Sequence, residues 1–205
     1  MPETPASLID GTSGIAGERL PSVVTAKARN LPLLTCGSMV GTATISISTW
    51  PPITAANAST LADGAAALMV GSEAALARYQ ARPLARIVAT AVAGRAPEEF
   101  PIAPVDAITK VVARAGLTLA DIDLYEINEA FAVVVIAAIR ALALDPATVN
   151  VRGGAIALGH PIGASGARVL TTLVAALGER RARYGLATLC LGGGEAIAMI
   201  IERSA

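Results

Sequence analysis

The sequence predicts an α/β fold, a mixed β-sheet covered by helices in layers. Three observations predict it. From Thr54 onward, apolar residues alternate between the helical and the strand period. Proline and glycine stand where a helix should start and stop, with Pro104 before and Gly116 after one periodic apolar run. Two apolar runs near the C-terminus are joined by Gly192, Gly193 and Gly194. The resulting order is strand, helix, strand, helix, loop, helix, strand, strand, which calls for a sheet with helices packed on it.

Residues 1–52 scatter Pro, Ser, Thr and Gly through short apolar runs without a sustained period, so this segment is expected to be irregular. Asp63 is expected to begin an alanine-rich helical turn that feeds the apolar run 65–70. Ser72, followed by Glu73, is a helix-start signal for 74–80, and Pro83 ends that helix. The run 84–93 is β-capable. Pro104 then opens an amphipathic helix carrying Val105, Ile108, Val111 and Val112. Residues 122–127 alternate apolar and polar side chains as a half-buried strand does. Asn128 follows where a helix N-cap is wanted, with Glu129 favourable to the dipole of a helix running through Leu144. The glycine-rich stretch 153–166 leads into a second long helix, 167 to about 183, whose arginines suit the negative end of the helix dipole. The runs 184–191 and 196–201 read as a hairpin or two neighbouring strands.

Composition excludes several classes. Of 205 residues, 54% are hydrophobic and 16% charged, which suggests apolar surface covered by another chain or by missing sequence, and an oligomer is expected. Sixteen Lys and Arg balance sixteen Asp and Glu, so nothing points to a nucleic-acid partner. The apolar runs break well before the roughly 20 residues that span a bilayer, and the N-terminus has no basic segment before an apolar one. A cytoplasmic protein without a membrane partner is expected. Two cysteines and one histidine leave a disulfide framework or a zinc cluster without ligands, so no metal or other cofactor is expected.

Three clusters place polar groups among small or apolar residues: 128–132, 153–166 and 190–194. His160 could be structural. Yet Gly159 and Pro161 restrict its backbone, and Gly163 and Gly166 let a ligand approach main-chain amides, so its ring could donate to a developing oxyanion or take a thiol proton. Cys190 could be a buried apolar residue, or its thiol could be lowered toward neutrality by the amides of the glycines that follow and act as a base. Asn128 could cap a helix, orient a water or carbonyl, or do both. No glycine motif of the nucleotide-binding kinds is present.

Taken together, these motifs resemble the thiolase family of acyl-CoA C-acyltransferases. The likeness rests on residues 153–168, on 128–132 and 190–194 at the family's spacing, and on 54–59 and 63–67. It implies a thiolase-like layered domain: 82–205 as the C-terminal domain, 53–81 as a remnant of the end of the N-terminal domain, and 1–52 without a family match. It further implies Claisen condensation or thiolysis of acetyl-CoA and 3-ketoacyl-CoA in fatty-acid metabolism, with a coenzyme A thioester as substrate. In that reading Cys190 is the base at the α-carbon, while His160 activates the thiol and, with a water held by Asn128, binds the thioester oxygen. The Gly192 amide belongs to a second oxyanion hole, Ser59 meets the pantetheine arm, and Phe131 lines its tunnel.

Two departures bear on the reading. Glu195 and Ala196 stand where the family has Gln-Gly or Met-Gly. The family's first half, which carries the acylated cysteine, is expected to be missing here. Cys36, followed by Gly37, Ser38 and Met39, resembles that cysteine's surroundings, but its flanks do not fit a strand-to-helix turn and the likeness is taken as chance. The chain is therefore expected to be truncated and incomplete alone, working as a homo-oligomer or with a chain that supplies the N-terminal half. The alternative is a non-catalytic binding or assembly subunit of the same fold.

Overall fold

The computed structural model describes residues 22–25 and 53–204. Cys36 and most of the segment 1–52 lie outside them. Among the described residues, six strands form one mixed sheet: β1 Ser22–Thr25, β2 Met69–Ser72, β3 Ala85–Gly94, β4 Leu124–Ile127, β5 Tyr184–Leu191 and β6 Glu195–Arg203, in the order β2-β1-β3-β6-β5-β4. The β4–β5 pair is parallel and every other pair antiparallel. A strand inside the stretch expected to be irregular is explained by the β-branched pair Val23 and Val24, which β2 and β3 flank on either side.

Among the described residues, five α-helices accompany the sheet: α1 Glu73–Tyr79, α2 Ala103–Ala115, α3 Ala132–Leu142, α4 Ala155–Leu158 and α5 Ser165–Arg180. The helix α2 forms as its sequence suggests, with Pro104 in the first turn and Gly116 in the left-handed cap at φ 68°. Its buried stripe of Ala107, Ile108, Val111 and Val112 recurs at helical spacing and meets β3 and β6. Burial of each such Ile or Val contributes about 1.5–3 kcal/mol. Together with α3 it covers one face of the sheet, while α5 covers the other through Val169, Leu170, Leu173, Val174 and Leu177 against Leu124, Ala187 and Ile201. Leu186 and Ala187, consecutive on β5, enter the two opposite cores, so the sheet is covered on both faces.

Four expectations need correction. The alanine-rich turn at 63–70 is not helical: its end is β2, because pairing with β1 outweighs the helical propensity of alanine. Strand β4 is buried along its whole length rather than on one face, since it lies between the two cores. Its outer edge is closed by Asn150, which donates its amide N–H to the Tyr125 carbonyl. The Asn150 side chain accepts from the Ile127 amide and donates to the Ile127 carbonyl, both at 2.8 Å, copying a ladder pair. Third, α3 starts at Ala132 and not beside Asn128, because residues 57–59 run alongside the turn. Ala132 donates its orphan amide to the Asn57 carbonyl at 2.8 Å, and Ser59 donates to the Ala130 carbonyl at 3.0 Å. Fourth, α5 runs two residues earlier at its start and ends at Arg180, where Arg181 takes the left-handed cap at φ 52°.

The hairpin between β5 and β6 is a three-residue glycine loop with Gly193 at φ 103° and Gly194 at φ 92°. A Cβ on Gly194 would stand 2.3 Å from the Arg95 carbonyl oxygen, so the loop is pressed against the end of β3. There Arg95 bridges to Asp106 of α2 through two bonds, Nε to Oδ2 at 2.7 Å and Nη2 to Oδ1 at 2.9 Å.

Candidate active site

Asn128 and His160 meet just beyond the end of β4, and Cys190 lies near the end of the adjacent strand β5. Asn128 immediately follows β4, and its amide donates to the Thr188 carbonyl at 3.0 Å. That bond sets it one strand spacing, ~5 Å, from β5. Cys190 lies two residues beyond Thr188 on the same strand. Carboxyl ends of adjacent parallel strands are where α/β sheets collect their functional groups.

Asn128 is 1% exposed, with both polar atoms of its side chain engaged. Arg168 of α5 donates Nη2 to Asn128 Oδ1 at 3.0 Å, and Asn128 Nδ2 lies 3.3 Å from His160 Nε2. The other ring nitrogen, Nδ1, lies 2.6 Å from Ser165 Oγ, whose hydroxyl donates to the Pro161 carbonyl at 3.0 Å. The His160 backbone is fixed too: its amide donates to the Thr60 carbonyl at 2.9 Å, and Gly159 before it takes φ 93°. Burial, and then the positive charge of Arg168, hold the imidazole below its ordinary range, favouring the neutral ring.

The Cys190 thiol is half-buried and packs toward the core beneath α2 and α3, in company with Phe131. Its expected lowering toward neutrality is not found. Burial pushes the thiol up, and a hydrogen bond with its own backbone pulls it down less strongly, while Gly192 and Gly193 sit at an exposed hairpin tip. No hydrogen bond joins His160 to Cys190 among the described residues. Gly192 is at that exposed tip. Ser59 donates its hydroxyl to the Ala130 carbonyl at 3.0 Å, which leaves its oxygen as an acceptor. Phe131 is half-buried and meets Phe100 edge to face, with ring centroids 5.9 Å apart.

Sequence reasoning missed the groups that hold these side chains. Glu129 does not serve the α3 dipole. It accepts from Asn150 Nδ2 at 3.0 Å and from the Ile156 amide at the start of α4 at 3.1 Å. A Cβ on Gly154 would stand 2.2 Å from the Glu129 carboxyl carbon, so this glycine is needed for the carboxylate above it and not for its extended φ of −152°. Gly154→Ala is therefore expected to displace Glu129 and destabilise the chain by about 2 kcal/mol, the value of its charged hydrogen bonds. In a Glu129→Ala background the same change should cost less than about 0.5 kcal/mol, a coupling readable from urea midpoints. Glu126 and Arg168 were missed as a buried pair, Oε2 to Nη1 at 3.8 Å. Among the described residues no group of three or more His, Cys, Asp or Glu side chains is gathered as a metal site.

The family model described as "Thiolase, C-terminal domain" matches residues 81–203. The chain belongs to the thiolase family. Among curated thiolase-family relatives, "Acetyl-CoA acetyltransferase, mitochondrial" of Macaca fascicularis is 54% identical over 151 residues, 74% of this chain and 35% of that protein. "Acetyl-CoA acetyltransferase B, mitochondrial" of Xenopus laevis is likewise 54% identical over 151 residues, 74% of this chain and 36% of that protein. A cytosolic acetyl-CoA acetyltransferase of Gibberella zeae is 49% identical over 150 residues, 73% of this chain and 38% of that protein. The crystal structure of human mitochondrial 3-ketoacyl-CoA thiolase in complex with CoA superposes with TM-score 0.73 at 48% identity, covering 75% of this chain and 39% of that one. The thiolase chain thus spans little more than a third of the length of the relatives it matches. The expected cytoplasmic location is overturned: the relatives above include mitochondrial proteins beside a cytosolic one, and the sequence features used for it do not separate the two. No helix among the described residues is long and apolar enough to cross a membrane.

Proposed function

We propose that this chain supplies the proton-handling half of a thiolase-type acyl-CoA C-acyltransferase, acting on acetyl-CoA and 3-ketoacyl-CoA in fatty-acid metabolism. The observation that carries the reading is the contact between Asn128 and His160 at the strand ends, one strand away from Cys190. A thioester α-carbon is a weak acid, so its deprotonation needs a base on one side and fixed donors at the thioester oxygen on the other. Cys190 is the base, and His160 activates the thiol. His160 and a water on Asn128 bind the first oxygen, and the Gly192 amide serves the second. The Ser59 oxygen accepts from the pantetheine arm, with Phe131 against it. The relatives' names and the CoA-bound structure support a coenzyme A thioester as the substrate. No separate cofactor enters the scheme.

The acylated nucleophile is not among the described residues, where Cys190 is the one free cysteine. A second chain carrying the N-terminal half completes the enzyme, and the chain itself works as a homo-oligomer or with that chain. Residues 53–81 are read as the end of that N-terminal domain, and they back the site through Thr60 and Asn57. Exposed Val92, Leu191 and Ile197, on the sheet face that α5 leaves open, support such a covering partner.

The test mixes the full chain with a polypeptide bearing the nucleophile half and measures acetoacetyl-CoA thiolysis. Turnover that needs both parts supports the reading, whereas a mixed complex that acylates but never turns over removes it. One observation favours a second reading, a non-catalytic subunit of the same fold: burial pushes the Cys190 thiol up, as for an inert core cysteine.

A further inference from the structure

The polar atoms around His160 form a chain whose two ends have fixed polarity. At one end a guanidinium has donors and no acceptor. Arg168 Nη2 at 3.0 Å therefore forces the oxygen of the Asn128 amide to face it, which turns the NH2 group toward His160 Nε2 at 3.3 Å. An NH2 group donates and does not accept, so Nε2 opposite it is the unprotonated nitrogen. At the other end a carbonyl accepts and does not donate. The Ser165 hydroxyl gives its proton to the Pro161 carbonyl at 3.0 Å, which leaves Ser165 Oγ as the acceptor for His160 Nδ1 at 2.6 Å. Both ends demand the same ring, neutral with its proton on Nδ1.

We infer that Arg168 is a positioning residue that sets the tautomer of His160 through Asn128, with Glu126 holding the guanidinium in place. Arg168 does not touch the imidazole itself and reaches it only through the Asn128 amide. Its buried Nε and Nη1 and Glu126 Oε1 make no hydrogen bond, and the Glu126 carboxyl lies 3.8 Å away. Arg168 is thus packed beside that carboxyl on one side and aimed by one directional bond on the other. The consequence is a resting His160 whose Nε2 lone pair takes a proton from an approaching thiol: the S–H bond breaks, the sulfur keeps the electron pair, and an N–H forms at Nε2. Only after that transfer does Nε2 become a donor. As a role in acyl transfer this rests on the function proposed above, but the tautomer does not, and the test reads the tautomer.

His160 is the single histidine of the chain, so its ring signals in the full-length, isotope-labelled protein are unambiguous. Ring 15N and 13Cδ2 shifts, read above the imidazole midpoint, are expected to report the Nδ1–H form in the wild type. Arg168→Lys keeps a donor-only head and should preserve that form. Arg168→Gln, which can present either polarity, should populate the Nε2–H form; if it does not fold, Arg168→Met removes the donor while keeping the stem. Asn128→Asp replaces the donor at Nε2 with an acceptor, so the proton should move to Nε2 and the imidazole midpoint rise by about one pH unit. An Nε2–H wild type overturns the inference. So does a folded Arg168→Gln or Arg168→Met chain whose ring shifts match the wild type.

Discussion

In an enzyme assembled with a nucleophile-bearing half, the Cys190→Ala chain is expected to turn over acetoacetyl-CoA about 10³-fold more slowly than the wild type, the usual scale for losing a positioned acid or base. The side chain is small, half-buried at the end of β5 and flanked by a hairpin whose glycines are already accommodated, so the substitution should leave the unfolding midpoint nearly unchanged. That separation makes the result informative. A structural cysteine lost to alanine would move stability and leave turnover alone. The pH profile adds a second signature: burial raises the thiol, so its base form is scarce near neutrality and the wild-type rate should climb with pH toward the alkaline side. The alanine protein should lack that climb. Equal turnover by the two proteins would remove Cys190 from the chemistry and leave the non-catalytic reading in its place.

The parts of this site legible in the sequence are those in which the backbone itself is constrained. Gly159 with Pro161 around His160, and three glycines after Cys190, announce fixed turns, and the turns are there, at φ 93° for Gly159 and 103° for Gly193. The β5–β6 hairpin and α2 were legible for a similar reason, since period and stop signals are local. What was hidden is what distant segments impose. Asn128 reads as a helix cap because capping is the local use of asparagine after a strand; residues 57–59 push the start of α3 onward and free its side chain for Arg168 and His160. Glu126 sits in an alternating stretch that looks half-exposed, and only the presence of α5 over β4 buries it. The direction of the Cys190 shift was misjudged because the density of glycine amides is visible in sequence while the packing of the sulfur under α2 and α3 is not.

That hidden carboxyl carries the second large prediction. Glu126 is 1% exposed, and burial first of all pushes it up to about 7, with Arg168 opposing and Glu129 adding to the rise. The folded state therefore binds this proton more tightly than the unfolded chain, whose carboxyl titrates near 4.5. The associated stability is fully present below that lower value and is lost as pH rises through about 7, to a total of about 3 kcal/mol. His160, held low, acts in the opposite sense in the same window, so the wild-type curve alone mixes the two. Glu126→Gln separates them, because glutamine mimics the protonated carboxyl at every pH while His160 is common to both proteins. The variant should match the wild type within about 1 kcal/mol near pH 4 and exceed it by about 3 kcal/mol at pH 8, measured as urea unfolding free energies across the range. The reverse order at pH 8, with the variant less stable by several kcal/mol, would mean that attraction to Arg168 outweighs desolvation and that the carboxyl is charged throughout. The two outcomes differ in sign, so the measurement decides whether the anchor of the His160 network is an ion pair or a neutral acid beside a lone guanidinium.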